Sequence, residues 1–466
     1  MRRLSVLAPG LRAVLLRVSG VLGEGTLPLD RFGLTVTTPS ARALSLYVEA
    51  VDRILSANAG AEALLREAVA LDPGFALAHM ALARNAQLYG RMDEARSAAA
   101  RAAAFVAGAS ERERRHVEAL TFSINGEAAK AMAALEAHVR ADPRDALVLS
   151  LALGVYGLLA FSGRPDHHEA QRALLESLAP HWGEDWWFLG YLGWSHVETG
   201  DPGRGGEIVE RALALNPRNA HAAHARTHAR VELGETASGV EFLTEWLCGY
   251  DPAAQLHCHL NWHLALFELD LGESERALER YEAAMRPAVA RCAPMATLAD
   301  VASFLWRCSL YAVGSRPLPW EDVAEFAERR FPRAGLAFAD LHAVMAEAAT
   351  QASAELDRRL SELEARDAES RLPQGRVVPL ICRGLAAFAR GAHAEAADLL
   401  AMAMPNLTRI AGSHAQREVF EDTLIAALLK CGQLEPARRL LARRLARRPR
   451  VRDTVWMAAA ASESPH

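Results

Sequence analysis

The stretch FALAHMALARNAQLYGRMDEARSAAARAAA, residues 75–104, has the composition of two short helices joined by a tight turn. Alanine and leucine, which are among the best helix formers, fill both halves. Gly90 stands where the first helix must end with a positive φ, and Ala95 is small enough to let the second helix pack closely on the first. The stretch therefore predicts a helix–turn–helix unit.

The same signals recur along the chain. A glycine followed five residues later by an alanine occurs at Gly90/Ala95, Gly126/Ala131, Gly272/Ala277, Gly391/Ala396 and Gly432/Ala437. The prolines that would close second helices are Pro73, Pro143, Pro217 and Pro252. Their spacings are 70, 74 and 35 residues, close to multiples of about 35. Two helices repeated at this period are typical of the tetratricopeptide type, so we expect an all-α superhelix (solenoid) of about ten helix pairs.

The repeat signals divide the chain into three segments. Residues 1–27 carry no such signal and are expected to be a disordered extension. Residues 28–450 are expected to form one continuous tetratricopeptide-type solenoid, and residues 451–466 a C-terminal tail.

Composition argues against several classes of function. Hydrophobic residues make up 51% of the chain and aromatic residues only 6%, which favours helices over strands. A net charge of −5 gives no reason to expect nucleic-acid binding, and no apolar run reaches the roughly 18 residues that a membrane span needs. The six cysteines have no CxxC or zinc-finger spacing, so we expect free thiols and a cytoplasmic protein.

Two histidine pairs lie one repeat apart. His224 and His228 are four residues apart, and His259 and His263 repeat this spacing 35 residues later. Residues i and i+4 share one face of a helix, and the period places the pairs on neighbouring helices whose axes are about 8–10 Å apart. We therefore expect the four imidazoles to converge on one concave site.

The register of the repeat selects further lining residues. In tetratricopeptide arrays the first helix of each unit lines the concave surface. Counting from the prolines places these residues on that surface: His116, Trp187, Trp194, Glu198 and His221. The surface should therefore carry indoles and a carboxylate beside the imidazoles.

The residues alone leave three interpretations open: an incidental polar lining, a ligand pocket and a metal site. Two imidazoles one helical turn apart can chelate a cation, and three or four would favour zinc, copper, iron or nickel over magnesium or calcium. A site without metal could place a histidine beside Glu198 or Asp340 for proton transfer. No HExxH motif decides between them, and PDHHEA (165–170) favours a polar turn.

Longer stretches around these positions resemble the tetratricopeptide-repeat protein 38 family. They are RFGLTVTTPSARALSLYVEAV (31–51), SERERRHVEAL (110–120), NPRNAHAAHARTHARVELGETASGVEFL (216–243), CHLNWHLALFELDLGESERALERY (258–281), FADLHAVMA (338–346) and GSHAQREVFEDTLIAALL (412–429). The resemblance is collinear over residues 28–450 and implies the tetratricopeptide fold.

The resemblance also implies candidate site positions, although no reaction. They are His116, Glu198, His224, His228, His259, Trp262, His263, Asp300, Arg307, Asp340, His342, Gln416 and Arg417. The chain departs from the family pattern at Tyr156 and Gly157, where related chains have a His–Asp pair, and at Arg230, which replaces a histidine.

The preferred interpretation is a protein that binds a small polar ligand or a peptide in a concave groove lined by His, Trp, Asp and Arg. One alternative is an enzyme with its active site in that groove, in which Arg417 would hold an anion. Its candidate catalytic groups are His224, His228, His259, His263 and Glu198, and the four histidines are also the candidate ligands of a divalent transition metal. The other alternative is a scaffold for protein–protein contacts. Neither a nucleic acid nor a membrane is expected as a partner.

Residues 1–27 are predicted to be dispensable for folding, because they lie outside both the repeat signals and the family resemblance. A chain shortened to begin at Leu29 is expected to keep the melting temperature of the full chain, measured by circular dichroism. A large drop would mean that the segment packs as a cap on the first repeat.

Overall fold

The computed structural model describes residues 28–313 and 317–462, so the predicted N-terminal extension, 1–27, lies outside the described residues. Within these ranges the backbone is almost entirely helical, and extended pairing is limited to one isolated bridge between Leu29 and Thr35. No helix in the described ranges combines the length and the hydropathy that crossing a membrane requires.

The helices follow one another with short connections. In chain order they are α1 (Ala41–Leu55), α2 (Ala61–Leu71), α3 (Ala76–Leu88), α4 (Met92–Phe105), α5 (Glu111–Ile124), α6 (Ala128–Ala141), α7 (Ala146–Leu149), α8 (Leu158–Phe161), α9 (His167–Leu178), α10 (Trp186–Glu198), α11 (Pro202–Leu215), α12 (Ala220–Leu233), α13 (Thr236–Leu247), α14 (His257–Asp270), α15 (Ser274–Arg280), α16 (Pro294–Leu310), α17 (Trp320–Arg330), α18 (Ala337–Ala349), α19 (Ser353–Ala368), α20 (Val377–Ala389), α21 (His393–Ala403), α22 (His414–Lys430), α23 (Leu434–Arg447) and α24 (Val451–Ser462). A π-helical turn, Tyr281–Met285, extends α15.

These helices form ten regular antiparallel pairs and one irregular unit within the described residues. The irregular unit is the fourth, whose first helix is replaced by the short α7 and α8. Gly157 lies between them, and a Cβ there would lie 2.4 Å from the carbonyl oxygen of Leu153, so only a glycine fits where the chain turns between the two helices. The predicted all-α superhelix of about ten pairs is confirmed.

The glycine and alanine signals have the predicted structural roles. The five glycines at the turns have φ between +73° and +82°. The five alanines that follow them are 0% exposed, because each lies where the second helix of a unit packs on the first. The local sequence therefore determines both the turn and the close packing of a unit.

The superhelix is wound tightly enough for successive turns to touch. The first unit, α1 and α2, contacts the sixth unit, α12 and α13. The backbone amide of Ala220 donates to the carbonyl of Ser56 at 3.0 Å, and the hydroxyl of Tyr250 donates to the carbonyl of Ala57 at 2.5 Å.

The sixth unit in turn contacts the eleventh, α22 and α23. The guanidinium of Arg448 donates to the carboxylate of Glu232 at 3.2 Å. A Cβ on Gly234 would lie 2.8 Å from the ring of Pro449, so only a glycine fits at this contact. The first unit thus meets the sixth and the sixth meets the eleventh, which makes one superhelical turn five units long.

The interior follows this winding. Two large apolar clusters run through residues 32–188 and 258–456, and the sixth unit lies between them along the chain. Because the turns touch, concave side chains that the sequence predicts to line an open groove face protein and are largely buried.

The segment beyond residue 450, predicted as a tail, continues as α24 and packs on α23. Trp456 on α24 is buried, and Asp453 accepts a hydrogen bond from Arg444 at 2.9 Å. The last described helix therefore closes the end of the apolar core.

Asp422 on α22 is the centre of a buried ion network that ties the last units together. Its carboxylate accepts hydrogen bonds from Arg444 at 2.8 Å, from Arg450 at 3.0 Å and from the hydroxyl of Tyr311 at 2.7 Å. Burial would raise the pKa of Asp422, but Arg450, Arg444 and Arg307 hold that pKa well below its usual range. The carboxylate is therefore the counter-ion of three buried guanidinium groups.

The substitution Asp422→Ala is expected to lower the free energy of unfolding by about 3–5 kcal/mol, because it removes the carboxylate that three buried guanidinium groups share. Urea denaturation followed by circular dichroism measures the change. The control is Glu435→Ala, whose side chain is 64% exposed beside Arg439. It is expected to change stability by less than about 0.5 kcal/mol. Equal effects of the two substitutions would contradict the assigned role of Asp422.

Candidate metal centre

The four histidines of the two predicted pairs face one another between α12 and α14. His224 and His228 project from α12, and His259 and His263 project from α14. Each ring offers a nitrogen, and these four nitrogens all lie within 4.8 Å of one another. All four residues are at most 9% exposed.

The local sequence fixes the position of α12. The side chain of Asn219 accepts the amide of Ala222 and caps the first turn, while Gly234 ends the helix with a φ of +71°. The buried alanines, which include Ala223 and Ala225, let neighbouring helices approach closely. The histidines therefore project from a rigid element rather than from a loop.

Three of the imidazoles meet at one nitrogen. The Nε2 of His224 lies 2.9 Å from the Nε2 of His228 and 3.0 Å from the Nε2 of His259. The rings of His224 and His228 are nearly perpendicular, with an interplanar angle of 84°. The three Nε2 atoms thus face the same small volume.

Two buried carboxylates hold the other nitrogens of this group. Glu198, at the end of α10, places Oε1 2.7 Å from the Nδ1 of His228. Asp300, on α16, places Oδ1 2.8 Å from the Nδ1 of His259. A carboxylate behind a histidine fixes its tautomer and ring orientation and raises the basicity of the other nitrogen, which is the usual arrangement behind metal-bound histidines.

The two close contacts of the His224 Nε2 cannot both be hydrogen bonds when the imidazoles are neutral. Burial raises the pKa of Asp300, and the contact with His259 counteracts this shift. When both carboxylates are ionised, the Nδ1 atoms of His228 and His259 carry the ring protons, so their Nε2 atoms present lone pairs in the neutral form. The Nε2 of His224 carries at most one proton and can satisfy only one of its two contacts. A second proton would create a buried imidazolium, whereas a cation among the three Nε2 atoms would satisfy all of them.

The fourth histidine has unsatisfied nitrogens. Neither ring nitrogen of His263 has a hydrogen-bond partner among the described residues, and the side chain is buried. Burial, followed by the neighbouring His228 and His259, lowers the pKa of His263 well below its usual value. The pKa of His224 is lowered for the same reasons, so the site favours neutral imidazoles, the form that binds metals.

Glu198 also connects the cluster to the last superhelical turn. Its Oε2 accepts the backbone amide of His414 at 2.9 Å and lies 3.6 Å from the Nε2 of His168. Arg417 lies 3.1 Å from that same histidine nitrogen. Burial would raise the pKa of Glu198, but His228, His168 and Arg417 hold that pKa well below its usual range. The carboxylate behind His228 is therefore ionised.

Aromatic and cationic groups surround the second histidine pair. Trp262 stacks on His259, with ring centroids 5.2 Å apart, and its Nε1 donates to the hydroxyl of Ser303 at 3.1 Å. Arg307 lies 5.6 Å from the Trp262 ring and donates to the carbonyl of Ala415 at 2.8 Å. These contacts hold the His259 ring in place.

Two predicted site residues lie apart from the four histidines, in packing or ion-pair roles. Trp187 packs on Trp182 with ring centroids 5.2 Å apart. Asp340 pairs with the buried Arg359 at 2.8 Å, rather than with a histidine of the cluster.

Three further predicted residues, His342, Gln416 and Trp194, also have local partners. The Nδ1 of His342 lies 2.7 Å from the carbonyl of Phe338, and burial lowers its pKa to about 4. Gln416 caps α22, since its side chain accepts the amide of Ser413 at 2.9 Å. Trp194 lies closer to the cluster and packs on His168 with ring centroids 5.7 Å apart.

His116 belongs to a separate buried cluster near the first units. Its Nδ1 lies 2.9 Å from Asp145, whose carboxylate also lies 3.0 Å from the Nε2 of His138 and 2.9 Å from Arg112. Arg112 in turn donates to the carbonyl of Thr35 at 2.7 Å. The three residues also have the spacing of metal ligands, but Arg112 already neutralises Asp145. We therefore interpret this group as an ion cluster that docks the segment before α1.

Sequence reasoning missed four of these histidine and carboxylate partners: His138, Asp145, His168 and His414. His168 lies in PDHHEA, whose composition favours a polar turn, yet it is buried at the start of α9. His414 and Glu198 are 216 residues apart. The five-unit winding brings them together, and no local signal in the sequence encodes that winding.

Comparisons with known proteins give only remote similarities. No protein-family model matches the chain. A crystal structure of yeast Tom70 is similar at 14% identity with a TM-score of 0.31, over 90% of this chain and 96% of that one. The structure of Naa15/Naa10 bound to HypK-THB gives 14% identity and a TM-score of 0.24, over 86% and 62% of the two chains. The crystal structure of the P58(IPK) TPR domain is similar at 15% identity with a TM-score of 0.23, over 84% of this chain and 89% of that one. With scores this low, these likenesses carry no argument about function, and the tetratricopeptide-type architecture is evident from the helix pairs themselves.

The role of the Asp145 carboxylate in stability can be tested by varying the pH. Burial would raise its pKa, but His116, His138 and Arg112 hold that pKa well below its usual range. Its stabilising contribution should be fully present above about pH 4, near the unfolded pKa, and be lost as the pH falls toward the depressed folded pKa. We expect Asp145→Asn to destabilise the protein by about 3–5 kcal/mol at pH 7 and by progressively less below about pH 4. Urea denaturation at several pH values measures this, and a constant difference would contradict it.

Proposed function

We propose that the protein binds one divalent first-row transition metal ion on His224, His228, His259 and His263. One observation carries the proposal: the Nε2 of His224 lies 2.9 Å from that of His228 and 3.0 Å from that of His259. A single imidazole nitrogen can satisfy only one of these two contacts, whichever tautomer it adopts. Nitrogens that share a tetrahedral ion at about 2.05 Å are about 3.3 Å apart, so small ring movements convert the present spacing into a coordination shell.

The chemistry of the ligands limits the choice of metal. Four neutral imidazoles suit zinc, copper, nickel or iron, whereas magnesium and calcium prefer oxygen ligands. Glu198 and Asp300 would act on the metal through His228 and His259, by orienting these rings and raising their basicity. The deep burial of the cluster would exclude competing water and strengthen the electrostatic influence of both carboxylates.

The sequence predicts a ligand site on the concave surface. We propose that this site consists of the metal centre and the inner surface beside it. Even His224 and His259, the most exposed of the four histidines, are only 9% and 7% exposed, which favours a small molecule over an extended peptide as the ligand. If the protein is an enzyme, we propose that the bound metal acts on a small-molecule substrate. Membership of the tetratricopeptide-repeat protein 38 family and a cytoplasmic location remain predictions from the sequence.

A protein-interaction scaffold is the alternative, and it is the role that the tetratricopeptide architecture alone would favour. The metal content of the purified protein separates the two functions. A scaffold with an incidental lining requires no metal, whereas the proposed centre should retain one ion through purification.

The protein purified without added metal is expected to contain about one transition-metal ion per chain, measured by inductively coupled plasma mass spectrometry. His228→Ala and His263→Ala should each lose most of this metal, because each removes one of four ligands. Removal of the metal by a chelator should lower the melting temperature, and adding the metal back should restore it. A metal present at 100 times its Kd would contribute about 2.7 kcal/mol to the stability of the folded state.

The matched control is His342→Ala. His342 is a buried histidine on the inner helix α18, but its Nδ1 contacts the carbonyl of Phe338 and not the cluster. This variant should lose stability and keep the metal. Metal-free wild-type protein that gains no stability from zinc, copper, nickel or iron would overturn the proposal.

The two carboxylates behind the histidines allow a second test. Glu198→Gln and Asp300→Asn are expected to weaken metal affinity about 10–100-fold while leaving all four ligands in place. Asp340→Asn is the control, because Asp340 is a buried carboxylate that pairs with Arg359 and touches no histidine of the cluster. Titration with a fluorescent metal competitor gives the affinities. Equal affinities in all three variants would contradict the role assigned to Glu198 and Asp300.

A further inference from the structure

Arg84 occupies the position in the second unit that His228 occupies in the sixth. Each is the ninth residue of its helix, since α3 begins at Ala76 and α12 at Ala220. This register places Arg84 on the inner surface of the superhelix, where it is partly exposed. Its guanidinium donates to Gln87 at 2.7 Å and reaches the hydroxyl of Ser150 in the fourth unit at 3.4 Å.

Among the described residues, Arg84 is a cation without a counter-ion. No carboxylate of the described residues lies within ion-pair distance, 4.0 Å, of its guanidinium, and its buried Nε has no hydrogen-bond partner there. Burial lowers the pKa of Arg84 to about 10. Two other interior arginines, Arg112 and Arg359, have carboxylate partners at 2.9 Å and 2.8 Å. Arg417, like Arg84, has none within 4.0 Å among the described residues, but it contacts His168 and the carbonyl of Gly412. Arg84 therefore retains donors and a charge that the protein itself does not satisfy.

Tyr191 and His221 connect the region around Arg84 with the helix that carries His224 and His228. The rings of Tyr191 and His221 are 5.2 Å apart. Burial raises the pKa of Tyr191, and the charge of Arg84 counteracts this shift. His221 lies one helical turn before His224 on α12, so both face the same side of that helix. Burial, followed by Arg84, lowers the pKa of His221 to about 4, so its neutral ring adds no second charge.

A buried or half-buried charge is normally paired, because removing it from water without a partner costs free energy. A planar guanidinium with free N–H groups matches the two oxygens of a carboxylate or a phosphate. Ser150 already donates its hydroxyl proton to the carbonyl of Leu147, and Gln87 donates one amide proton to Ser123. The second amide proton of Gln87 and the hydroxyl of Tyr191 are further donors for such an anion. The counter-ion that would satisfy Arg84 is therefore a carboxylate or a phosphate group.

We propose that Arg84 is the anion-binding residue of a small-molecule site on the inner surface, and that the ligand carries a carboxylate or phosphate group. The anion would pair with Arg84, and the rest of the ligand would extend past His221 toward His224. The link to His224 rests on the metal centre proposed above. The anion site itself does not.

Isothermal titration calorimetry with sodium acetate and with inorganic phosphate, at constant ionic strength, tests the site. Wild-type protein should bind at least one of the two anions saturably, with one site per chain. Arg84→Gln should weaken this binding by about tenfold or more, because it removes a charge-assisted hydrogen-bonding partner. Arg84→Lys, which keeps the charge but loses the planar donors, should give an intermediate affinity.

Arg226→Gln is the matched control. Arg226 is also a half-buried arginine on an inner helix, but it pairs with Glu210 at 2.7 Å and stacks on Phe242. This variant should bind the anion like the wild type. Preference for acetate would identify a carboxylate ligand, and preference for phosphate a phosphorylated one. Circular dichroism and melting curves verify that each variant is folded.

The metal-free protein and the variant His228→Ala separate this inference from the proposed metal centre. Anion binding that persists in both, and is lost in Arg84→Gln, supports the site whether or not a metal binds. Binding that requires the metal, equal binding by Arg84→Gln, or no saturable binding by the wild type would overturn it. Arg84→Gln should also retain the wild-type metal content, since Arg84 touches none of the four histidines.

Discussion

Contact between successive superhelical turns is the constraint on which the rest of this structure depends. The first unit is joined to the sixth through Ser56 and Ala220, and the sixth to the eleventh through Glu232 and Arg448. A tetratricopeptide array with a wider pitch would leave its inner helices lining an open groove. Here the five-unit turn closes that groove, so polar side chains at lining positions are removed from water and need partners within the protein or from a ligand.

Some buried polar groups in the interior find partners within the protein and others do not. The functional proposals rest on the groups that lack partners among the described residues. The carboxylates of Asp422 and Asp145 are each surrounded by cationic or hydrogen-bonding groups, so their charges are balanced within the chain. The four histidines are not complete, because two carboxylates occupy the outer nitrogens of His228 and His259 while the inner nitrogens face one another. The same physical rule thus separates structural ion clusters from a candidate metal centre.

The geometry also explains why a helical repeat is a suitable scaffold for such a centre. Ligands one turn apart on a helix, repeated on the next helix, give four donors from two rigid elements, and the carboxylates come from two further helices, α10 and α16. The contact of Glu198 with the backbone amide of His414 connects this arrangement to the last turn of the superhelix. Stability of the inter-turn contacts and orientation of the histidines are therefore coupled.

The sequence by itself determined the units: the positive φ of the turn glycines, the buried alanines after them and the spacing that brings His224 and His228 next to His259 and His263. These features depend on residues within one unit or on adjacent units, so local periodicity encodes them. Only the tertiary structure decided that the groove closes, that Glu198 meets His168 and His414, and that Arg84 faces the inner surface without a counter-ion. The reason is physical: the pitch of a superhelix is the sum of small rotations between successive units, and each depends on packing details that a repeat signature does not specify.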